Sequence, residues 1–143
     1  MIEAIVVKGL EKIEDIHVIR NEIHLTQEDS LKLFRVDSFD EKAIHVIVYE
    51  GQRVVATGRL LIFEEYIVDK VCVRIVDRKN HYGDLVVKML IDKAFTMGAR
   101  KVVALVPDDI TGFFSRIGFV NEEELDGLNK MTITKESIIK CKH

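Results

Sequence analysis

Six consecutive residues, Arg78, Lys79, Asn80, His81, Tyr82 and Gly83, carry the densest chemistry in the chain. They form a polar turn between an apolar stretch, residues 71–76, and an amphipathic stretch that reads as a helix beginning immediately after Gly83. The first turn of a helix has backbone N–H groups without intrahelical acceptors and carries the positive end of the helix dipole. Arg78 and Lys79 add formal positive charge to that field. Such a turn is suited to holding an anion, and phosphate is the usual one.

The flanking residues say how the turn is positioned. A second apolar stretch, residues 102–107, follows the helix and leads into a short helical segment, residues 108–120. Strand, helix and strand in that order predict a βαβ unit, whose parallel strands need a right-handed crossover. Within the helix, Val86, Met89, Leu90 and Ala94 share one face, with Val87, Ile91 and Phe95 beside them, while Asp84, Lys88 and Asp92 line the opposite side at i,i+4 spacing. The side chains of this helix are therefore core and solvated stripe. Only its first turn is read as functional.

These residues resemble the GNAT N-acetyltransferases. Arg78 to Gly83 is similar to that family's Q/R-x-x-G-x-G/A pyrophosphate loop, with His81 standing where the family usually has its first Gly. Val71, Cys72 and Val73 resemble the V-A-V of the strand that holds the acetyl-pantetheine arm, and Phe113 to Phe119 resembles the F-Y-x-x-x-G-F ending. In the first half, Arg20, Asp37 with Asp40, His45 and the Gly58-Arg59-Leu60 run are similar in order to one branch of the family. The resemblance covers most of the chain. It implies an α/β (α+β) fold: a mixed, mostly antiparallel sheet of six to seven strands with about four helices and a parallel pair in the second half. It also implies a single acyl-CoA-binding domain over residues 1–143. Acetyl-CoA is the implied cosubstrate, held by Val71, Cys72, Val73, Arg78, Lys79, Asn80, His81, Tyr82, Gly83 and Phe114. The implied activity is acetyl transfer to a primary amine of a small-molecule or peptide acceptor, and a homodimer is compatible with it.

A thioester is already activated, so the protein must align a neutral amine, stabilise the thioester oxygen and handle two protons. Proton handling is where this chain departs from its relatives. Many of them place a general-acid Tyr where this chain has Phe114, and some place a Glu base where it has Ile67. Replacement candidates for catalysis are His45, Tyr66, Asp69 and Ser115, followed by Glu22, Glu28, Asp37 and Asp40 in the first half. The alternatives are a GNAT-like module that binds CoA or acyl-CoA without turnover, and an interaction domain without a cofactor.

His81 tests the loop itself. The family's Gly adopts positive φ so that backbone can approach the pyrophosphate, and a side-chain-bearing residue there costs about 1–2 kcal/mol. His and Asn are among the residues that tolerate this conformation best. The loop is expected to be strained yet able to bind.

Composition bounds these readings. A chain of 143 residues has one domain's worth of core, and 48% apolar with 31% charged residues is globular. A net charge of −3 argues against nucleic acid as a partner. No apolar run reaches membrane-spanning length, so no membrane is expected. Cys72 and Cys141 give no disulfide framework, and the N-terminus does not look like a signal peptide, so the expected location is cytoplasmic. No metal-ligand spacing occurs, and no metal is expected.

The remaining elements follow from periodicity. Residues 2–8 and 43–49 read as strands, and residues 10–25 as a helix. Residues 50–52 turn the second strand back as a hairpin into residues 53–63, and residues 66–76 form a further strand. Residues 26–42 read as a loop or short helix and residues 130–135 as a terminal strand. Glu122, Glu123 and Glu124 read as a solvated charge run.

Overall fold

The second and third strands are almost continuously buried because both faces of the sheet are covered there. In β2 (Ile44–Glu50), Ile44, Val46 and Val48 face one side and His45 and Ile47 the other, and all five are buried. The computed structural model describes residues 1–26 and 37–141. Its seven strands are β1 (Ile2–Lys8), β2, β3 (Arg53–Ile62), β4 (Tyr66–Val73), β5 (Lys101–Val106), β6 (Val120–Leu125) and β7 (Leu128–Thr134). They lie in the order β1-β2-β3-β4-β5-β7-β6, and only β4 and β5 are parallel. Four α-helices are present among the described residues: α1 (Ile13–Thr26), α2 (Tyr82–Thr96), α3 (Thr111–Ile117) and α4 (Lys135–Cys141). None of them is long and apolar enough to cross a membrane.

Two packed layers result. On one face α2 lays Val86, Val87, Leu90 and Ala94 against Val46, Val48, Ala56, Leu60, Val102 and Ala104. The helix sits close because Gly58 has no side chain; a Cβ there would lie 2.5 Å from Val86 Cγ1. On the other face α1 packs Ile16 and Ile19 against Val7, Ile47, Val54 and Cys72. Tyr49 reaches from β2 to donate to Asp15 at 2.6 Å, which pins the start of α1.

The mixed sheet with its parallel pair matches the expected architecture. Local boundaries differ in four places. β4 ends at Val73, and Ile75–Asn80 winds into a 3₁₀ turn where the apolar run suggested three more strand residues. α2 begins at Tyr82, so Gly83 lies inside its first turn and not before it. The glutamate run is solvated, as read, but it belongs to β6, an edge strand paired with β7 through a two-residue turn. That turn is Asp126 (φ 50°) and Gly127 (φ 81°), the Asp-Gly hairpin signal that the run of charges obscured. Finally α4 closes the described chain beyond β7, where no helix was expected.

One irregularity shapes everything downstream. β3 and β4 pair Thr57 with Cys72 but Arg59 with Asp69, so β4 holds one extra residue opposite Gly58. Lys70 sits in this bulge at φ 49°. β4 then pairs with β5 only at Tyr66 with Val102 and Ile67 with Val103. From Val68 to Val73 the two strands have parted.

The bulge is anchored by a buried ionic cluster on the α1 side. Arg59 donates from Nε and Nη2 to both oxygens of Asp69 (2.8 and 2.7 Å) and from Nη1 to Asp37 (2.6 Å) and Asp40 (3.2 Å). Asp40 also accepts from Arg20 at 2.9 Å and from the Asp37 N–H at 2.8 Å, and Lys70 reaches Asp37 at 3.1 Å. His45 donates from Nε2 to the Asp40 carbonyl at 3.2 Å. Arg20, Asp40, His45 and Arg59 are each at most 2% exposed. Burial pushes the Asp40 carboxyl up, but Arg20, the Asp37 N–H and Arg59 outweigh it and hold the group below its ordinary value. Burial likewise works against ionised Asp37, and the Arg59 and Lys70 contacts overcome it, leaving the carboxyl at about 2. Burial, reinforced by both arginines, lowers His45 below its ordinary 6.5 and keeps it neutral.

Two predictions follow from the cluster. Asp40→Asn leaves Arg20 without its carboxylate inside the core, and urea unfolding at pH 7 is expected to show a loss of about 3–5 kcal/mol. The second concerns pH. Because folded His45 resists protonation, the unfolded chain takes up a proton that the native chain does not, and stability falls as pH drops below 6.5. That slope, at most about 1.4 kcal/mol per pH unit, is expected to shrink in His45→Gln between pH 6.5 and 5. The Asp37 contribution is lost further down, between its ordinary 3.8 and about 2.

Candidate functional site

The site begins where β4 and β5 separate. Among the described residues, the edge of β4 that faces β5 has no ladder partner from Val68 to Val73, so its main-chain groups are open to another extended chain. Val71 and Val73 are half-buried on the α2 face, while Cys72 points to the α1 face and is 4% exposed. The far lip is held by Asn129, whose Nδ2 donates to the Val106 carbonyl (3.2 Å) and to Asp108 (2.6 Å) around Pro107.

At the open end of this gap the chain turns into α2. Arg74 donates from Nε to the Val54 carbonyl (2.6 Å) and pairs with Glu22 of α1 at 3.1 Å, so the turn starts from a fixed point. Arg78, Lys79, Asn80 and His81 then project into solvent, with Arg78 Nε 3.3 Å from the Val73 carbonyl. His81 adopts φ 61° and ψ 26°, the left-handed conformation expected at the position where a Gly is usual. It is the residue before α2, and its side chain makes no cap. The N–H groups of Tyr82, Gly83 and Asp84 therefore open the helix without intrahelical acceptors, beside two cations. The Asp84 carboxylate, in the first turn of α2, lies 3.9 Å from His81 Nδ1.

The loop residues divide by what they offer. Tyr82 is buried, with its hydroxyl directed 3.4 Å from Glu50, so only its main chain faces the turn. Gly83 is helical, and what it lacks is room. A Cβ there would come within 3.3 Å of the Phe113 ring and 3.5 Å of Val73 Cγ2. Phe113, half-buried, is thus the residue of the F-F-S-R-I-G-F segment that touches the helix start, and sequence reasoning passed over it for its neighbour. Phe114 is 4% exposed and stands edge-on to Phe113 (5.1 Å) and Phe119 (5.2 Å) in the core.

The expected proton-handling groups are dispersed. Ser115 is on the solvent side of α3. Tyr66 sits at the closed end of the gap, opposite Val102. His45 and Asp40 are sealed in the ionic cluster, Asp69 is chelated by Arg59, Asp37 is shared by Arg59 and Lys70, and Glu22 holds Arg74. Glu28 lies outside the described residues. Burial pushes the Cys72 thiol up to about 12, which makes it unreactive. Among the described residues no group of His, Cys, Asp and Glu is arranged to hold a metal ion. What the structure brings together is main chain: an open strand edge and an uncapped helix start. Lys70, at the bulge that opens the gap, carries no signal in sequence.

No protein-family model matches the sequence. The chain is 22% identical over 118 residues to the uncharacterized N-acetyltransferase YjcF of Bacillus subtilis (strain 168), covering 82% of this chain and 84% of that one. Among solved structures it superposes on an acyl-CoA N-acyltransferase from Pseudomonas aeruginosa with a TM-score of 0.76 at 16% identity, over 92% of this chain and 97% of the other. It also superposes on the PaiA N-acetyltransferase of Thermoplasma acidophilum in complex with coenzyme A, with a TM-score of 0.72 at 13% identity, over 92% and 99%. These solved structures establish the fold, and the curated relative adds a sequence relationship along most of its length. With the sheet parted at β4 and β5 as described, the chain has the fold of these N-acetyltransferases and is similar in sequence to one of them.

Proposed function

We propose that this chain is a single, cytoplasmic acyl-CoA-binding domain that moves an acetyl group from acetyl-CoA to a primary amine. The observation that carries the proposal is the open edge of β4 running toward the uncapped start of α2. The residues present suit acetyl-CoA in both of its parts. The N–H groups of Tyr82, Gly83 and Asp84, with Arg78 and Lys79, match a diphosphate; the unpaired edge from Val71 to Val73 matches the amide-bearing arm. With the cosubstrate bound, a backbone N–H of that edge would stabilise the charge that develops on the thioester oxygen. The bound cosubstrate supplies the activated acyl group. Transfer would then rest on alignment: the C–N bond forms as the C–S bond breaks, the amine's proton passes to water, and CoA leaves as the thiolate to be protonated by solvent, because the side chains near the gap are committed to ion pairs.

A second reading keeps the binding and drops the turnover. It is favoured by one observation: α3 presents a core Phe114 and an outward Ser115, so it offers no proton to a departing thiolate. Release of free thiol from saturating acetyl-CoA across polyamines, amino acids and peptide N-termini separates the two. Thiol that depends on the amine establishes the transferase, and its absence alongside firm CoA binding establishes the module.

Acetyl-CoA is expected to raise the melting temperature, since it binds the folded chain alone. Arg78→Glu with Lys79→Glu, both on exposed side chains, is expected to abolish that rise without lowering the melting temperature of the free protein. An undiminished rise places the anion elsewhere. His81→Gly probes the strained position. The left-handed conformation is already present in the free chain, so its cost falls on folding and not on binding. This variant is expected to gain about 1 kcal/mol in urea unfolding with CoA affinity unchanged.

A further inference from the structure

One hairpin turn touches both stems of the exposed loop. Arg53, the first residue of β3, donates from Nη1 to Asp77 Oδ2 at 2.9 Å and from Nη2 to Asp77 Oδ1 at 3.1 Å. The same Nη2 donates to Glu50 Oε1 at 2.8 Å, and Glu50 Oε2 accepts from the Tyr82 hydroxyl at 3.4 Å. Asp77 immediately precedes Arg78, and Tyr82 immediately follows His81. Both are buried, at 4% and 8% exposure, whereas the four residues between them are all exposed.

We infer that Arg53 is a positioning residue for the cofactor loop: through Asp77 and Glu50 it fixes the two stems of residues 78–81 and so presents the α2 amides in binding geometry. The inference rests on reading that loop as the diphosphate cradle. Four exposed residues, one of them left-handed, have little packing of their own to order them, and ordering a loop during binding weakens affinity. Clamping the stems beforehand removes that cost. The clamp needs an arginine, because only the planar fork makes two parallel bonds to one carboxylate. Arg53 is not itself the anion site. One cation faces two carboxylates here, so the brace carries net negative charge, and its N–H groups point at Asp77 and Glu50.

Arg53→Met keeps the apolar stem and removes the fork; Arg53→Lys keeps charge but allows no two-pronged clamp. The side chain is 38% exposed, so neither change opens the core. Titration calorimetry with CoA, hydrogen exchange of residues 78–85 in the free protein and urea unfolding are measured on wild type and both variants. The methionine variant is expected to bind CoA about tenfold more weakly, with Lys intermediate. Amides of Tyr82 to Leu85 are expected to exchange faster in it, while those of β5 stay near wild type. CoA affinity in Arg53→Met within about twofold of wild type overturns the inference alone. A loss of affinity accompanied by uniformly faster exchange and a lowered urea midpoint also overturns it, since that marks general destabilisation. Wild-type protein that binds no CoA removes the cofactor reading, and the inference falls with it.

Discussion

Arg59 is the charge on which the rest of the structure depends. A guanidinium this deeply buried is tolerable only if its donors are satisfied, and here three carboxylates from two distant parts of the chain converge on it. The clamp on Asp69 holds the residue just before the bulge, and the contacts to Asp37 and Asp40 tie the 37–40 turn to β3. Lys70 can then occupy a left-handed conformation that a lysine in a regular strand would avoid. The bulge re-aims β4, and β4 leaves β5 after two residue pairs. An interaction on one face of the sheet thereby sets a gap along its edge.

The chemistry offered at that gap comes mostly from backbone. Strand-edge amides and helix-start amides are available whatever side chains they carry. His81 adopts the glycine-like conformation without being glycine, and Gly83 is needed for the aromatic ring above it more than for the loop below. Side chains act at one remove. Phe113 seats the helix start, Glu22 holds Arg74, and Asn129 steadies the opposite lip.

Much of the fold was legible because it is written in local periodicity. The β-rich runs of β2 and β3 on either side of a short turn, the spacing of α2 and the polar turn between two apolar strands each declare themselves within a few residues. The order of Arg20, Asp37, Asp40, His45 and Arg59 was also readable as a resemblance, though not that these residues would share one buried cluster; that is a product of topology. Features set by long-range partners were not legible. β4 stops at Val73 because Arg74 is captured by Glu22 and Val54, although Ile75 and Val76 have strand-like side chains. The bulge at Lys70 answers a register mismatch with β3 that nothing adjacent to it announces. β6 was hidden for another reason: residues 120–125 contain three glutamates, and an edge strand with both faces wet has no apolar alternation to display. Asp126-Gly127 carries the hairpin signal, beside charges that leave the strand without an apolar face.

That edge strand has a consequence for how the protein behaves in a crowd. Among the described residues β6 is the last strand of the sheet, every residue of it is exposed, and its outer rim of main-chain donors and acceptors has no described strand beyond it. Such a rim is a template on which another chain's strand can dock and start a growing stack. Here any second copy approaching in the same way must bring its own glutamates up against Glu123 and Glu124, with Val120 and Leu125 at the two ends too far apart to form a continuous greasy seam. Electrostatic repulsion along the rim thus acts as a guard against self-association, and neutralising it, by acid or by substitution with threonine or valine, opens that rim to strand pairing between copies.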